Sequence, residues 1–174
     1  LNVRPVSDFL ESPAFRNLYD ICVYQMGNHP AYHDLIYQAL VRYPGITVLH
    51  EFDLQSFHLH RSQPYNSRAT YIREMGYAHG SKGTMEARRV RDGKRVVADN
   101  SYPLFDRVAD VSLGLIVHTE YARRTILARS PRARIARIPL AVDPPPNSGP
   151  ADKLSNPACS LTICRVAARS HGPG

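Results

Sequence analysis

The sequence predicts an α/β fold, an open parallel Rossmann-like sheet with helices on both faces. Three observations predict it. Short apolar runs recur along the chain as "ICVYQM", "ITVL", "GLIV" and "IARIPL". Between them lie stretches whose apolar residues repeat at helical spacing. Pro-Gly and Gly-Asn pairs punctuate several of the joins. Short strands alternating with helices are linked by right-handed crossovers, which makes neighbouring strands parallel.

Each element has its own warrant. Asp20 to Met26 is β-rich and stops at Gly27-Asn28, which places the first strand near Ile21 to Gln25. Pro30 opens a helix, because its missing N–H is a donor that a helix start leaves unpaired anyway. Ala31, Leu35, Ile36, Ala39 and Leu40 then recur on one face until Pro44-Gly45 ends the helix near Arg42-Tyr43. Ile46 to Leu49 is the second strand, ended by His50. A short helix over Leu54 to His60 and a longer one over Asn66 to Tyr77 follow. Ala87 to Ala98 reads ambiguously, interrupted by Asp92-Gly93. Pro103 to Val111 reads as helix, and Gly114 to Val117 as the third strand, closed by His118-Thr119. Thr119 is placed to cap a helix from Glu120 to Ala128, with Glu120 near its positive end. Ile135 to Ile138 is the fourth strand, and the following Pro139 puts it at an edge or a domain border. After Val142, "DPPPNSGPADKLSNP" reads as a linker, and the short apolar run of "ACSLTICRVAARSHGPG" has no partner to pack against. The expected organisation is one domain over residues 1–142, then a linker and poorly structured tail over residues 143–174.

Composition bounds the function. At 174 residues and 43% hydrophobic, the chain can bury roughly 70% of its unfolded surface in one core. No apolar run nears the ~20 residues that span a bilayer, and the first residues carry no signal-peptide pattern. Cys22, Cys159 and Cys164 form no CxxC pair and no disulfide framework, so a reduced, cytoplasmic setting is expected.

Charge is divided unevenly: six Lys and Arg against seven Asp and Glu in residues 1–81, but sixteen against eight in residues 82–174. The excess gathers in "RRVRDGKR" (Arg88 to Arg95) and "RRTILARSPRARIAR" (Arg123 to Arg137). Neither cluster has interleaved aromatics or a recognition-helix pattern, so a nucleic-acid partner is not expected. Solvated faces are the plain reading, and attraction to an anionic membrane or a phosphate-bearing ligand is the sharper one. Six of the eight histidines fall between His29 and His79. The helical pair His29 and His33 encloses Pro, Ala and Tyr rather than a general-base glutamate, so no metal is expected.

Parallel sheets bind ligands at the carboxyl ends of their strands, where loops and helix starts gather. Gly27-Asn28, His50-Glu51 and His118-Thr119 each follow a strand, which predicts that they share one rim and suggests a cleft there.

The runs "YQMGNHPAYHDLIYQALVRYPGITVLHEFDL" and "GLIVHTEYARRTIL…IARIPLAV" resemble the N-terminal, acceptor-side domain of bacterial glycosyltransferases of family 4, the retaining GT-B type. The similarity covers about Tyr19 to Val142. It implies transfer of a sugar from a nucleotide-sugar donor to a glycan, lipid-linked sugar or other small acceptor, with no cofactor beyond the donor substrate. Members of that family begin with a strand and glycine-rich loop and continue into a donor-binding domain carrying a Glu-x7-Glu signature. Neither is found here, so the resemblance implies a fragment that is inactive alone.

By resemblance, His50 stands beside the reacting sugar, where imidazole can hydrogen-bond the donor hexose or stabilise charge at the anomeric centre. Glu51 and Asp53 could orient the acceptor hydroxyl, or simply cap the next helix. Family members more often carry aspartate where Glu51 stands. Gly27 and Asn28 could turn amides toward a ligand or merely form a turn. His118 and Thr119 open a helix whose start suits an anion, though a plain cap explains Thr119 equally. Arg123 and Arg124, one turn on, could meet lipid or phosphate or lie solvated. The competing class is a non-catalytic Rossmann-like ligand-binding domain.

Overall fold

The structure is a computed structural model that describes residues 4–61, 68–94, 102–140 and 163–166. Five strands form one all-parallel sheet: β1 (Ile21–Met26), β2 (Ile46–Leu49), β3 (Gly114–Val117), β4 (Ile135–Arg137) and β5 (Ile163–Val166), in the order β4-β3-β2-β1-β5. The four strands expected from the sequence are therefore all present and parallel. Around the sheet lie α1 (Val6–Glu11), α2 (Pro13–Arg16), α3 (Pro30–Arg42), α4 (Gln55–Arg61), α5 (Ala69–Arg91), α6 (Asp106–Val111) and α7 (Glu120–Arg129).

Local chemistry sets the boundaries. Pro30 stands in the first turn of α3, and Tyr43 N–H closes the helix onto the Ala39 carbonyl at 2.8 Å. Gly45 follows because β1 passes so close: a Cβ there would run into the Cys22 carbonyl and lie 2.8 Å from the Tyr24 ring. Along β1, β2 and β3 burial alternates. Tyr24 and Met26, Thr47 and Leu49, Leu115 and Val117 are buried under the helices with Ile36, Leu40, Phe57, Phe105 and Ile126. Val23, Gln25, Ile46, Val48 and Ile116, on the opposite face, are only half-buried.

Three stretches depart from the sequence reading. The helix expected over Asn66 to Tyr77 starts at Ala69 (residues 62–67 lie outside the described residues) and continues to Arg91. It passes a sharp kink at Gly80, where φ is 61° and ψ −146°, values open to glycine alone, so periodicity is reset rather than ended. Of the ambiguous Ala87 to Ala98, residues 87–91 close this helix, and residues 95–98 are outside the description. The tail was expected to find no partner, yet Ile163–Val166 pairs in parallel with β1, Ile21 opposite Ile163. A polar linker hides such a pairing, because the strand's partner lies far away in sequence. The rest of the tail and the linker, residues 141–162 and 167–174, lie outside the described residues.

Candidate functional site: a hydrogen-bonded row on the strand ends

The register brings the strand ends level. Leu49 pairs with Met26 on one side and Val117 on the other, and Val117 pairs with Arg137. The next residues, His50, His118 and Ile138, therefore stand side by side. His50 N–H bonds the Met26 carbonyl at 2.9 Å, and Ile138 N–H bonds the Val117 carbonyl at 2.9 Å, which extends the ladder one step past the strands.

The side chains form a continuous row. Gln25 Oε1 lies 2.9 Å from His50 Nε2, His50 Nδ1 lies 3.2 Å from His118 Nε2, and His118 Nδ1 lies 2.9 Å from the Ile138 carbonyl. The two imidazoles are stacked, with centroids 5.3 Å apart and an interplanar angle of 29°. Four adjacent strands thus contribute one group each.

Proton accounting restricts this row. A carbonyl only accepts, so His118 Nδ1 carries a proton; Gln25 Oε1 only accepts, so His50 Nε2 carries another. The bond between the rings then needs a third proton, and the pair shares one positive charge. Rotating the Gln25 amide lets its NH₂ donate to His50 Nε2. His50 Nδ1–H then donates to His118, and both rings are neutral. The three links are satisfied in either arrangement, so the geometry of the row does not depend on which amide orientation and tautomers are present.

The other expected residues are placed as follows. Asn28 Oδ1 accepts from the Phe57 amide at 2.7 Å, and Asp53 Oδ1 from the Gln55 amide at 2.9 Å, so both bond the first turn of α4. Gly27 is buried beneath His33, whose ring atoms come within 3.0 Å of where a Cβ would stand. Glu51 is exposed. Thr119 caps α7, its Oγ1 accepting from Ala122 N–H at 3.1 Å. Arg123 makes two 2.8 Å bonds to Glu120 and Arg124 one of 2.9 Å. Hydrogen bonds from Arg123 and then Arg124 hold the Glu120 carboxyl down at about 2. The two arginines share one carboxylate, so the start of α7 is less cationic than its sequence implies.

Two contributors escaped the sequence reading. Gln25 interrupts an apolar run one residue before its end, a polar position that could have been flagged. The Ile138 carbonyl is backbone and leaves no trace in residue type. Phe52 and Tyr121, each two or three residues past a rim histidine, meet edge to face at 5.6 Å, and Tyr121 is 70% exposed.

No family model, curated protein or solved structure matches this chain. Among the described residues, no cluster of three or more His, Cys, Asp or Glu is arranged to hold a metal ion, and no helix is long and apolar enough to cross a membrane.

Proposed function

We propose that this chain is the acceptor-side domain of a retaining, GT-B-type glycosyltransferase that moves a sugar from a nucleotide-sugar to a glycan, lipid-linked sugar or other small acceptor. The observation that carries the reading is the His50–His118 pair, held on the strand-end rim by Gln25 and the Ile138 carbonyl. A retaining transfer develops positive charge at the anomeric carbon and negative charge on the leaving diphosphate. A ring pair whose hydrogen bonds hold it in place in either arrangement suits such a site, because preorganised donors stabilise charge as it develops. In this reading His50 meets the donor sugar and exposed Glu51 orients the acceptor hydroxyl. The Phe52–Tyr121 edge offers an apolar face to a sugar ring. The diphosphate is held mainly by a second domain, and no cofactor is required.

The alternative, a non-catalytic Rossmann-like ligand-binding domain, is favoured by one observation. Asn28, Asp53 and Thr119 spend side-chain oxygens on helix starts, which leaves fewer polar groups for catalysis.

Sequencing the coding region beyond Gly174 and assaying its product with a panel of nucleotide-sugars tests the proposal. Residues 1–174 alone should show no turnover. In the complete enzyme, His50→Ala should slow transfer ~10²-fold, about 2.7 kcal/mol, with little change in melting temperature. Parallel losses of rate and stability would make His50 a structural residue, and turnover by residues 1–174 alone would contradict the two-domain reading.

A further inference from the structure

A second polar feature lies away from the strand ends, among the helices. Between α3, α4, α5 and α6 is an open depression of about 320 Å³, lined by Tyr37, Arg42, Arg61, Arg73, Glu74 and Arg107. None of these arginines belongs to the two basic clusters of the sequence; separate elements deliver them to one place.

Two of the four are fixed. Arg61 forms an ion pair with Asp34 at 2.8 Å and lies over the Tyr37 ring at 4.6 Å. Arg107 bonds Glu74 at 2.7 Å and lies over the Tyr77 ring at 4.0 Å. Arg42 and Arg73 are exposed and make no ion pair among the described residues, so two positive charges stand in excess. One lining residue is Tyr37, only 4% exposed, whose hydroxyl has no hydrogen-bond partner among the described residues. Burial, followed by the Glu74 charge, pushes this phenol up, so it stays protonated and able to donate. An orphaned buried hydroxyl is costly, which makes a missing acceptor the simplest account of it.

We infer that this depression binds a phosphate group, with Tyr37 donating a hydrogen bond and Arg42 and Arg73 closing on the oxygens from solvent. The excess of two cations matches a phosphate dianion, and guanidinium forks suit its tetrahedral oxygens. The group is a free phosphate or a phosphomonoester headgroup. The site does not depend on the sugar-transfer reading, because no residue of the strand-end row lines it.

The test titrates the 174-residue chain with inorganic phosphate by calorimetry, and separately with phosphatidylcholine vesicles with and without phosphatidic acid. Wild type should bind with one-to-one stoichiometry. Tyr37→Phe, which keeps the ring and its packing, should weaken binding about tenfold. The double variant Arg42→Gln, Arg73→Gln should weaken it on the order of 100-fold. Arg132→Gln with Arg134→Gln, exposed arginines outside the depression, should leave it unchanged. Phosphate binding with this pattern supports a soluble ligand. Binding to phosphatidic acid vesicles alone, lost in the same variants, supports a lipid headgroup. Absence of both, equal binding by Tyr37→Phe and wild type, or equal losses from the Arg132, Arg134 control would overturn the site.

Discussion

His58 shows how a single residue sets pH behaviour. It is 1% exposed, packed against Tyr37 at 5.3 Å and Phe57 at 4.9 Å, with neither ring nitrogen well bonded. Burial first, then the Arg61 and Arg107 charges, lower it from 6.5 to about 3, and the Leu104 backbone offers only a partial counterweight. The unfolded chain therefore binds a proton that the folded chain refuses between pH 6.5 and about 3. Stability is full above that window and falls as pH drops through it. One pKa step corresponds to ~1.4 kcal/mol, so the acid limb carries on the order of several kcal/mol. His79, lowered to about 4 mainly by burial, adds to the slope with the same sign. Urea melts from pH 7 to pH 4 should show His58→Leu losing much less stability than wild type on acidification; identical slopes would place the acid sensitivity elsewhere. Sequence alone hid this residue, because a histidine in "SFHLHR" looks like one more polar position until tertiary contacts bury it. Conversely, His50 and His118 were legible from their place after apolar runs, although their contact, 68 residues apart in sequence, was not.

Among the elements, β1 to β4 and the helices α3, α4 and α7 were the most legible, since period and punctuation agree at "PGITVLH" and "GLIVHTEYARR", whereas α1, α2 and β5 were not anticipated. The helix α5, foreseen only in part, is the element whose continuity depends on a single backbone value. Gly80 turns through φ 61° with nothing within 4 Å of a would-be Cβ, so a side chain there would meet open space and only the backbone would object. Gly80→Ala should therefore destabilise the protein by about 1–3 kcal/mol through strain alone. Chemical denaturation measures this, and an unchanged midpoint would mean that the kink relaxes at little expense. Amphipathic counting could not find the bend, because both halves of α5 carry helical spacing and only the phase between them changes.

At the scale of the molecule, the sheet order reverses beside β1: β2, β3 and β4 spread to one side, and β5 lies alone on the other. β5 covers the backbone edge of Ile21 to Tyr24. A chain ending at Leu140 leaves that edge open to other chains. It should melt at a lower temperature and self-associate as concentration rises, as light scattering after gel filtration would show. A monomer with the parent's melting temperature would mean that β5 contributes nothing. The row from Gln25 to Ile138 makes a different demand on the same sheet. It crosses four strands at right angles, with links of 2.9, 3.2 and 2.9 Å. Slipping any strand by one residue moves it about 3.3 Å and turns its side chains to the opposite face, which breaks a link. The row therefore behaves as a combination lock whose four tumblers are strand alignments. A chain paired out of step would lose the row at its rim while keeping the rest of its sheet.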